Sequence, residues 1–240
     1  MISFYSGTPG SGKSLNIARY IWIKVRHAKQ NIILVNMTVN REYLITSKLK
    51  QLVNKIRLKL KLKPINTKLK DYGKIYSIRL DQLNTKFLED YAMKFHMVGI
   101  EGQSKIIIDE AQLIWSPTVM KNKKQVDPNY RERWIEFMTL HRHLGFDMII
   151  ISQFDRLIDA QIRCLFEYNH IHRKVNNFCI GYWLNLFKIK VFAEVQYWYG
   201  VRARIGVNFF AITPWTSKHY RKIYNAHKRF SDLKGKKKVA

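Results

Sequence analysis

The residues Gly7-Thr8-Pro9-Gly10-Ser11-Gly12-Lys13-Ser14 fit the pattern G-x-x-x-x-G-K-[ST] at every fixed position. Glycines at these positions let successive backbone N–H groups converge on an anion, and a helix starting here adds its positive dipole end. The chemistry this implies is ATP binding by Gly7 through Leu15. Lys13 would reach the β- and γ-phosphates, and the Ser14 hydroxyl would ligate Mg²⁺. A second set lies at Lys105-Ile106-Ile107-Ile108-Asp109-Glu110, where an apolar run ends in two carboxylates. Asp109 would hold Mg²⁺, and Glu110 would orient and deprotonate an attacking water. A third run, 147–152, ends in Ser152-Gln153. If its strand lies between the other two, Gln153 would sense the γ-phosphate or the water. Phosphoryl transfer also needs positive charge on the developing oxygens, often from a neighbouring subunit, and Arg156 and Arg163 are the candidate fingers. His141/His143 and His170/His172 are spaced to share one face of a strand, but without a Cys or carboxylate cluster nearby no metal site is expected.

The elements that must position these groups follow from periodicity. Residues 2–6 read as a short buried strand, and Leu15, Ile17, Ala18, Ile21, Trp22 and Val25 recur at helical spacing after the glycine loop. Further strands are expected at 32–36, 105–109 and 147–152, as near-continuous β-branched runs of the kind found in parallel sheets covered on both faces. Helical patterns occupy 81–97 and 129–144, the latter closed by Gly145. This alternation predicts an α/β fold with a doubly wound, mainly parallel sheet. After residue 166 the segments 167–174, 178–184, 189–199 and 201–210 are short, aromatic and β-rich, which predicts a hairpin appendage. The expected division is a core at 1–165, a β-rich extension at 166–216 and a basic helix and tail at 217–240.

The chain has 240 residues, 43 Lys+Arg against 17 Asp+Glu, and a net charge of +26. That excess calls for an anionic partner, either nucleic acid or an anionic membrane face. Residues 41–74 hold eleven Lys/Arg and two acids, and residues 218–238 hold nine and one. Within the first segment, Lys55 to Lys63 alternates strictly between cationic and apolar residues, which predicts a strand with one cationic face. Cys164 and Cys179 give no disulfide framework and favour a reducing cytoplasm. No secretory leader is expected, since the glycine loop begins where one would lie, and no span-length apolar run occurs in these residues; the nearest candidate, 178–187, is interrupted by Gly181 and Asn185.

The runs ISFYSGTPGSGKSL, KIIIDEAQLIW, LHRHLGFDMIIISQ and LIDAQIRCLFEYNH together resemble the zonular occludens toxin family, which includes the assembly ATPases of filamentous phages. The likeness runs over roughly residues 1–200. It implies a P-loop ATPase, working as an oligomer and by analogy with motors as a ring, at the cytoplasmic face of the host inner membrane. There it would drive extrusion of single-stranded DNA phage alongside coat and assembly proteins. Family members usually continue through one membrane span. Here the basic ending, Lys236-Lys237-Lys238, resembles a cytoplasmic juxtamembrane segment. The chain would be either a cytoplasmic piece or a member that docks on another membrane protein, and a toxin role is not expected of it. The residues themselves also fit a DNA-translocating or packaging P-loop ATPase, and less well a small-molecule kinase or a nucleotide-gated scaffold.

Overall fold

The computed structural model describes residues 1–97, 99–177 and 188–224. The expected strand at 178–184, Cys179 and residues 225–240 lie outside these. One eight-stranded sheet organises the chain in the order β3-β2-β4-β5-β1-β6-β7-β8. Its strands are β1 (Ile2–Ser6), β2 (Asn31–Val35), β3 (Ile75–Ile78), β4 (Ser104–Ile108), β5 (Phe146–Ile151), β6 (Tyr168–Lys174), β7 (Lys190–Trp198) and β8 (Arg204–Ile212). From β3 to β6 every pairing is parallel, and β7 and β8 are added antiparallel. The expected α/β sheet with a C-terminal hairpin appendage is therefore observed. β6 pairs with β1 itself, so the appendage continues the core sheet.

The continuous apolar runs have a direct cause. Alternate residues of a strand face opposite sides, and here both sides are covered. Ile33, Val35, Ile106, Ile108, Met148 and Ile150 face one core, shared with Trp115, Trp134 and Phe137. Ile32, Leu34, Ile107, Ile149 and Ile151 face the other, shared with Ile17, Ala18, Ile21 and Val25. The first core is closed by α4 (Thr85–Phe95), α5 (Gln112–Trp115), α6 (Pro117–Val126) and α7 (Tyr130–Leu140); the second by α1 (Lys13–Arg26) and α2 (Arg41–Ile45). A four-residue α8 (Ala160–Arg163) leads into β6.

Two expectations are corrected. The alternating run 55–63 is not a strand. Residues Lys48–Lys59 form helix α3, and the chain turns back at Leu60–Lys61, where Lys61 has φ 56°. The alternation covers only nine residues, whereas Leu49, Leu52, Val53, Ile56 and Leu60 recur at the helical period over a longer span. The Ser47 side chain caps the start by accepting from Lys50 N–H. The sheet edge at that side is instead β3, which the sequence reading did not identify. The C-terminal basic helix is likewise not simply a tail. Helix α9 (Pro214–Ile223) starts three residues before the expected boundary, packs on α1 and α2, and buries Ile223 and Tyr224.

Candidate active site

Strand β5 pairs with β1 on one side and with β4 on the other. The carboxyl ends of three adjacent strands thus carry the glycine loop, the Ser152-Gln153 turn and the Asp109-Glu110 pair. This is the position at which open parallel sheets collect ligands.

The loop from Gly7 to Gly12 is built for close backbone approach. Gly12 ends it at φ 96°, and a Cβ there would lie 2.5 Å from the Phe192 ring. A Cβ on Gly7 would meet the His172 carbonyl oxygen at the same distance. Helix α1 begins at Lys13 with no side-chain cap and no acidic residue in its first turn. Uncapped first-turn amides, with a buried Ser11 hydroxyl that has no partner among the described residues, are what an anion would satisfy. The Lys13 ammonium bonds the Gly7 carbonyl and lies 3.3 Å from the Thr8 carbonyl. Burial lowers its pKa, and the charge of Asp109 opposes that shift. Ser14 is half-buried in the first turn. Leu15 packs against Phe192, Phe210 and Ile212, so it can serve a ligand only through its backbone.

Asp109 stands just beyond β4. The Tyr224 hydroxyl donates to its Oδ2 at 2.8 Å and the Glu110 N–H to its Oδ1 at 3.0 Å. Burial raises its pKa and the Glu110 charge adds to that rise, whereas the Tyr224 bond, the Glu110 N–H and Lys13 act against it. Glu110 is exposed and held at φ 53°, a left-handed conformation unusual for a side chain of its size. Such outliers mark sites where the surroundings impose geometry. One hydroxyl (Ser14) and one carboxylate (Asp109) fit Mg²⁺, which takes few protein ligands and otherwise waters and phosphates. No cluster of three or more metal-binding side chains exists among the described residues.

Gln153 meets the loop through its backbone: its carbonyl accepts from Gly7 N–H at 3.2 Å, and its side chain is exposed. Ser152 is buried, and its hydroxyl donates to Gln112 on α5 at 2.8 Å, tying the ends of β5 and β4 together. Gln153, Arg156 and Arg163 line one open cleft of about 1470 Å³ with Gly7 through Ser11, and Arg173 and Arg202 join them. Lys13, Ser14, Asp109 and Glu110 are not part of that lining. The two candidate arginines therefore sit at the β6 side of the loop and the carboxylates at the β4 side.

A buried network under the loop was invisible to motif reading. Asn16 donates to His172 Nε2 at 3.0 Å and to Glu194 Oε2 at 3.2 Å, and His170 Nδ1 lies 2.6 Å from Glu194 Oε1. His172 Nδ1 faces the Ser6 and His170 carbonyls. The ring is thus held neutral, with Nδ1 donating and Nε2 accepting, and burial pushes its pKa down to about 4. Burial pushes Glu194 up, but the hydrogen bond and charge of His170 bring it below the usual carboxylate range. The i, i+2 histidines were a signal that these residues share a face; nothing local announced Glu194 or Asn16.

An ATPase domain of known structure superposes with a TM-score of 0.51 at 10% identity, covering 93% of this chain and 83% of that one, which shows the fold. The N-terminal domain of zonular occludens toxin from Neisseria meningitidis is similar at 15% identity over 93% of this chain and 98% of that one, with a TM-score of 0.49. The genome packaging NTPase B204 from Sulfolobus turreted icosahedral virus 2, in complex with AMPPCP, follows at 15% identity, 87% and 95% coverage and a TM-score of 0.46. A search of curated proteins finds no match. The family model for zonular occludens toxin (Zot) matches residues 1–190, most of the chain. By that match the chain belongs to the Zot family.

Proposed function

We propose that this protein is an ATP-hydrolysing motor for the assembly and extrusion of a filamentous single-stranded DNA phage, acting as an oligomer at the cytoplasmic face of the host inner membrane. The observation that carries the enzymatic part is the insertion of β5 between β1 and β4. It sets Lys13, Gln153 and the Asp109-Glu110 pair on neighbouring strand ends. The phage and membrane setting rests on the family membership and on the charge of +26.

Backbone N–H groups of Gly10, Gly12, Lys13, Ser14 and Leu15, which no loop carbonyl engages, receive the β- and γ-phosphates, and Gly7, Thr8, Pro9 and Ser11 shape the loop around them. Lys13 leaves the carbonyls of Gly7 and Thr8 to neutralise them. Ser14 and Asp109 are the residues that would hold Mg²⁺, which would supply positive charge against the phosphate oxygens. Glu110 accepts the proton of the attacking water as its oxygen bonds to γ-phosphorus and the bond to the β–γ bridging oxygen breaks. ADP and phosphate leave. Gln153 orients the water or the γ-phosphate. Arg156 and Arg163 stabilise the equatorial oxygens, either across their own cleft or on a neighbouring subunit in a ring.

The test is steady-state ATP turnover with and without single-stranded DNA and with and without anionic liposomes. Turnover stimulated by liposomes and weakly by DNA is expected. Strong stimulation by bare DNA alone would favour a packaging or DNA-translocating ATPase, and absence of turnover under all conditions would refute the motor.

A further inference from the structure

Helix α3 presents an apolar stripe that the rest of the described chain leaves uncovered. At 100° per residue, Leu49, Leu52, Val53, Ile56 and Leu60 fall on one face. Leu49 is 72% exposed, Leu52 56%, Ile56 53% and Leu60 64%. Among residues 49–59 none is buried. Lys55 and Lys59 flank the stripe on one side, Lys50 and Arg57 on the other. From residue 47 to 70 the chain carries nine Lys/Arg and no acid.

The excursion is a built element. Its base is closed by Ser47 N–H on the Thr67 carbonyl at 2.9 Å and Leu69 N–H on the Ile45 carbonyl at 2.8 Å. The returning chain is fastened to the helix by Asn54, which donates to the Ile65 carbonyl at 2.7 Å and accepts from Ile65 N–H at 2.8 Å. These bonds hold the stripe outward.

We propose that α3 is an interfacial helix that lies in the plane of an anionic bilayer, with Leu49, Leu52, Ile56 and Leu60 among the acyl chains and the flanking lysines on the lipid headgroups. This deepens the membrane setting proposed above. Two features select the partner. Nucleic acid would take the lysines but leave the leucines in water. A second copy of this chain could cover the leucines, but it would bring an equally cationic surface, +26 per chain, against nine like charges. An anionic bilayer accommodates both faces. Twelve helical residues span about 18 Å, too short to cross a hydrocarbon core of about 30 Å, so the helix lies on the membrane.

The experiment uses the full chain with vesicles of phosphatidylglycerol in phosphatidylcholine at graded ratio and salt. Wild type binds anionic vesicles and keeps part of that binding at high salt. L52N/I56N lowers partitioning by at least about tenfold and loses the salt-resistant part. K55Q/K59Q weakens binding to anionic vesicles while the salt-resistant part survives. An environment-sensitive dye on Ile56→Cys, with Cys164 and Cys179 changed to Ser, shifts to the blue with these vesicles. Wild-type vesicle binding by L52N/I56N overturns the proposal. So does a dye that ignores vesicles, whether or not it responds to protein concentration or to DNA, which would identify a second copy or nucleic acid as the occupant. ATP turnover without vesicles is read separately: L52N/I56N should match wild type there. A wild-type protein that binds vesicles but never hydrolyses ATP would refute the motor and leave the helix assignment standing.

Discussion

The two ends of the parallel sheet handle charge in opposite ways. At the amino ends, charges are matched to one another. Lys105 on β4, almost wholly buried, sits 2.8 Å from Asp147 on β5, and the Met1 amine reaches the same carboxylate at 2.9 Å. Glu167 pairs with Arg142 and accepts from Ile2 N–H at 2.9 Å. Burial raises Asp147, yet Lys105 and the amine hold it below its usual pKa. At the carboxyl ends the Lys13 ammonium bonds only carbonyls, α1 begins uncapped, and Glu110 enters no ion pair among the described residues. Buried charges that satisfy each other fix strand register. Charges and N–H groups left without partners are available to a ligand.

The comparison breaks most sharply at its two lysines. Lys13→Ala should lower nucleotide affinity at least about a hundredfold, since it removes the side-chain charge on the phosphates. Its melting temperature should barely move, because the ammonium bonds only its own loop. Lys105→Ala should do the reverse. It leaves a carboxylate with reduced compensation and should cost about 3 kcal/mol, or roughly 6–12 °C in Tm for a chain of this size. Nucleotide affinity of the molecules that remain folded should be unchanged. Calorimetric titration beside a thermal melt decides. If Lys105→Ala abolishes binding while staying folded, the two ends are not functionally separate.

Glu110 sharpens the contrast within the site. Glu110→Gln should retain nucleotide binding and lose about 10²–10⁴ in turnover, because an amide cannot accept the proton. Glu110→Gly should lose turnover as well, yet gain roughly 1 kcal/mol of stability, since glycine adopts φ 53° without strain. A Glu110→Gly protein that is less stable than wild type would show that the left-handed residue is not a cost carried for function.

The buried network beneath the loop adds a pH dependence. His172 is held near 4 from an ordinary 6.5, so below 6.5 the unfolded chain takes up a proton that the folded one refuses. Stability is fully present above pH 6.5 and falls as pH drops toward 4, by about 3 kcal/mol. Glu194, whose pKa is also lowered, acts in the same direction below 4.5. Chemical denaturation from pH 7.5 to 4 measures this. A flat profile would mean that the ring is charged in the fold and that Glu194 accommodates it.

Much of the site was legible because its signals are local. Gly7 to Ser14 is contiguous, and Asp109-Glu110 and Ser152-Gln153 each terminate an apolar run that could only be a covered strand. That β5 lies between the other two strands was a condition the sequence could state but not establish, since order in a sheet is a tertiary property. The strand assigned to 55–63 failed because a short alternation is compatible with either period, and the longer stripe from Leu49 to Leu60 decided it. The four-residue β3 is too short for periodicity. The partners of His170 and His172 come from β7 and α1, far apart in the chain, and no motif links them.

Tyr224 is the extreme of that distance, lying 115 residues beyond the aspartate it touches. Its hydroxyl gives Asp109 one of the two hydrogen bonds that orient the carboxylate among the described residues; the other comes from the neighbouring Glu110 amide. Tyr224→Phe removes that bond but keeps the ring, which is buried beside α1. The fold should therefore be preserved. Asp109 keeps the Glu110 bond, so the loss is partial: a net hydrogen bond of about 1 kcal/mol, or roughly fivefold. The expected outcome is a fivefold rise in the Mg²⁺ concentration that half-saturates nucleotide binding, with binding in the absence of Mg²⁺ unchanged. Titrating Mg²⁺ against a fluorescent nucleotide reads both. An effect confined to the metal-free arm would place Tyr224 on the nucleotide instead. No effect in either arm would make it a packing residue that happens to meet the carboxylate. A fivefold loss here, beside the hundredfold loss at Lys13, would show that the carboxyl-end site takes its strength from the contiguous loop and its fine adjustment from the far end of the chain.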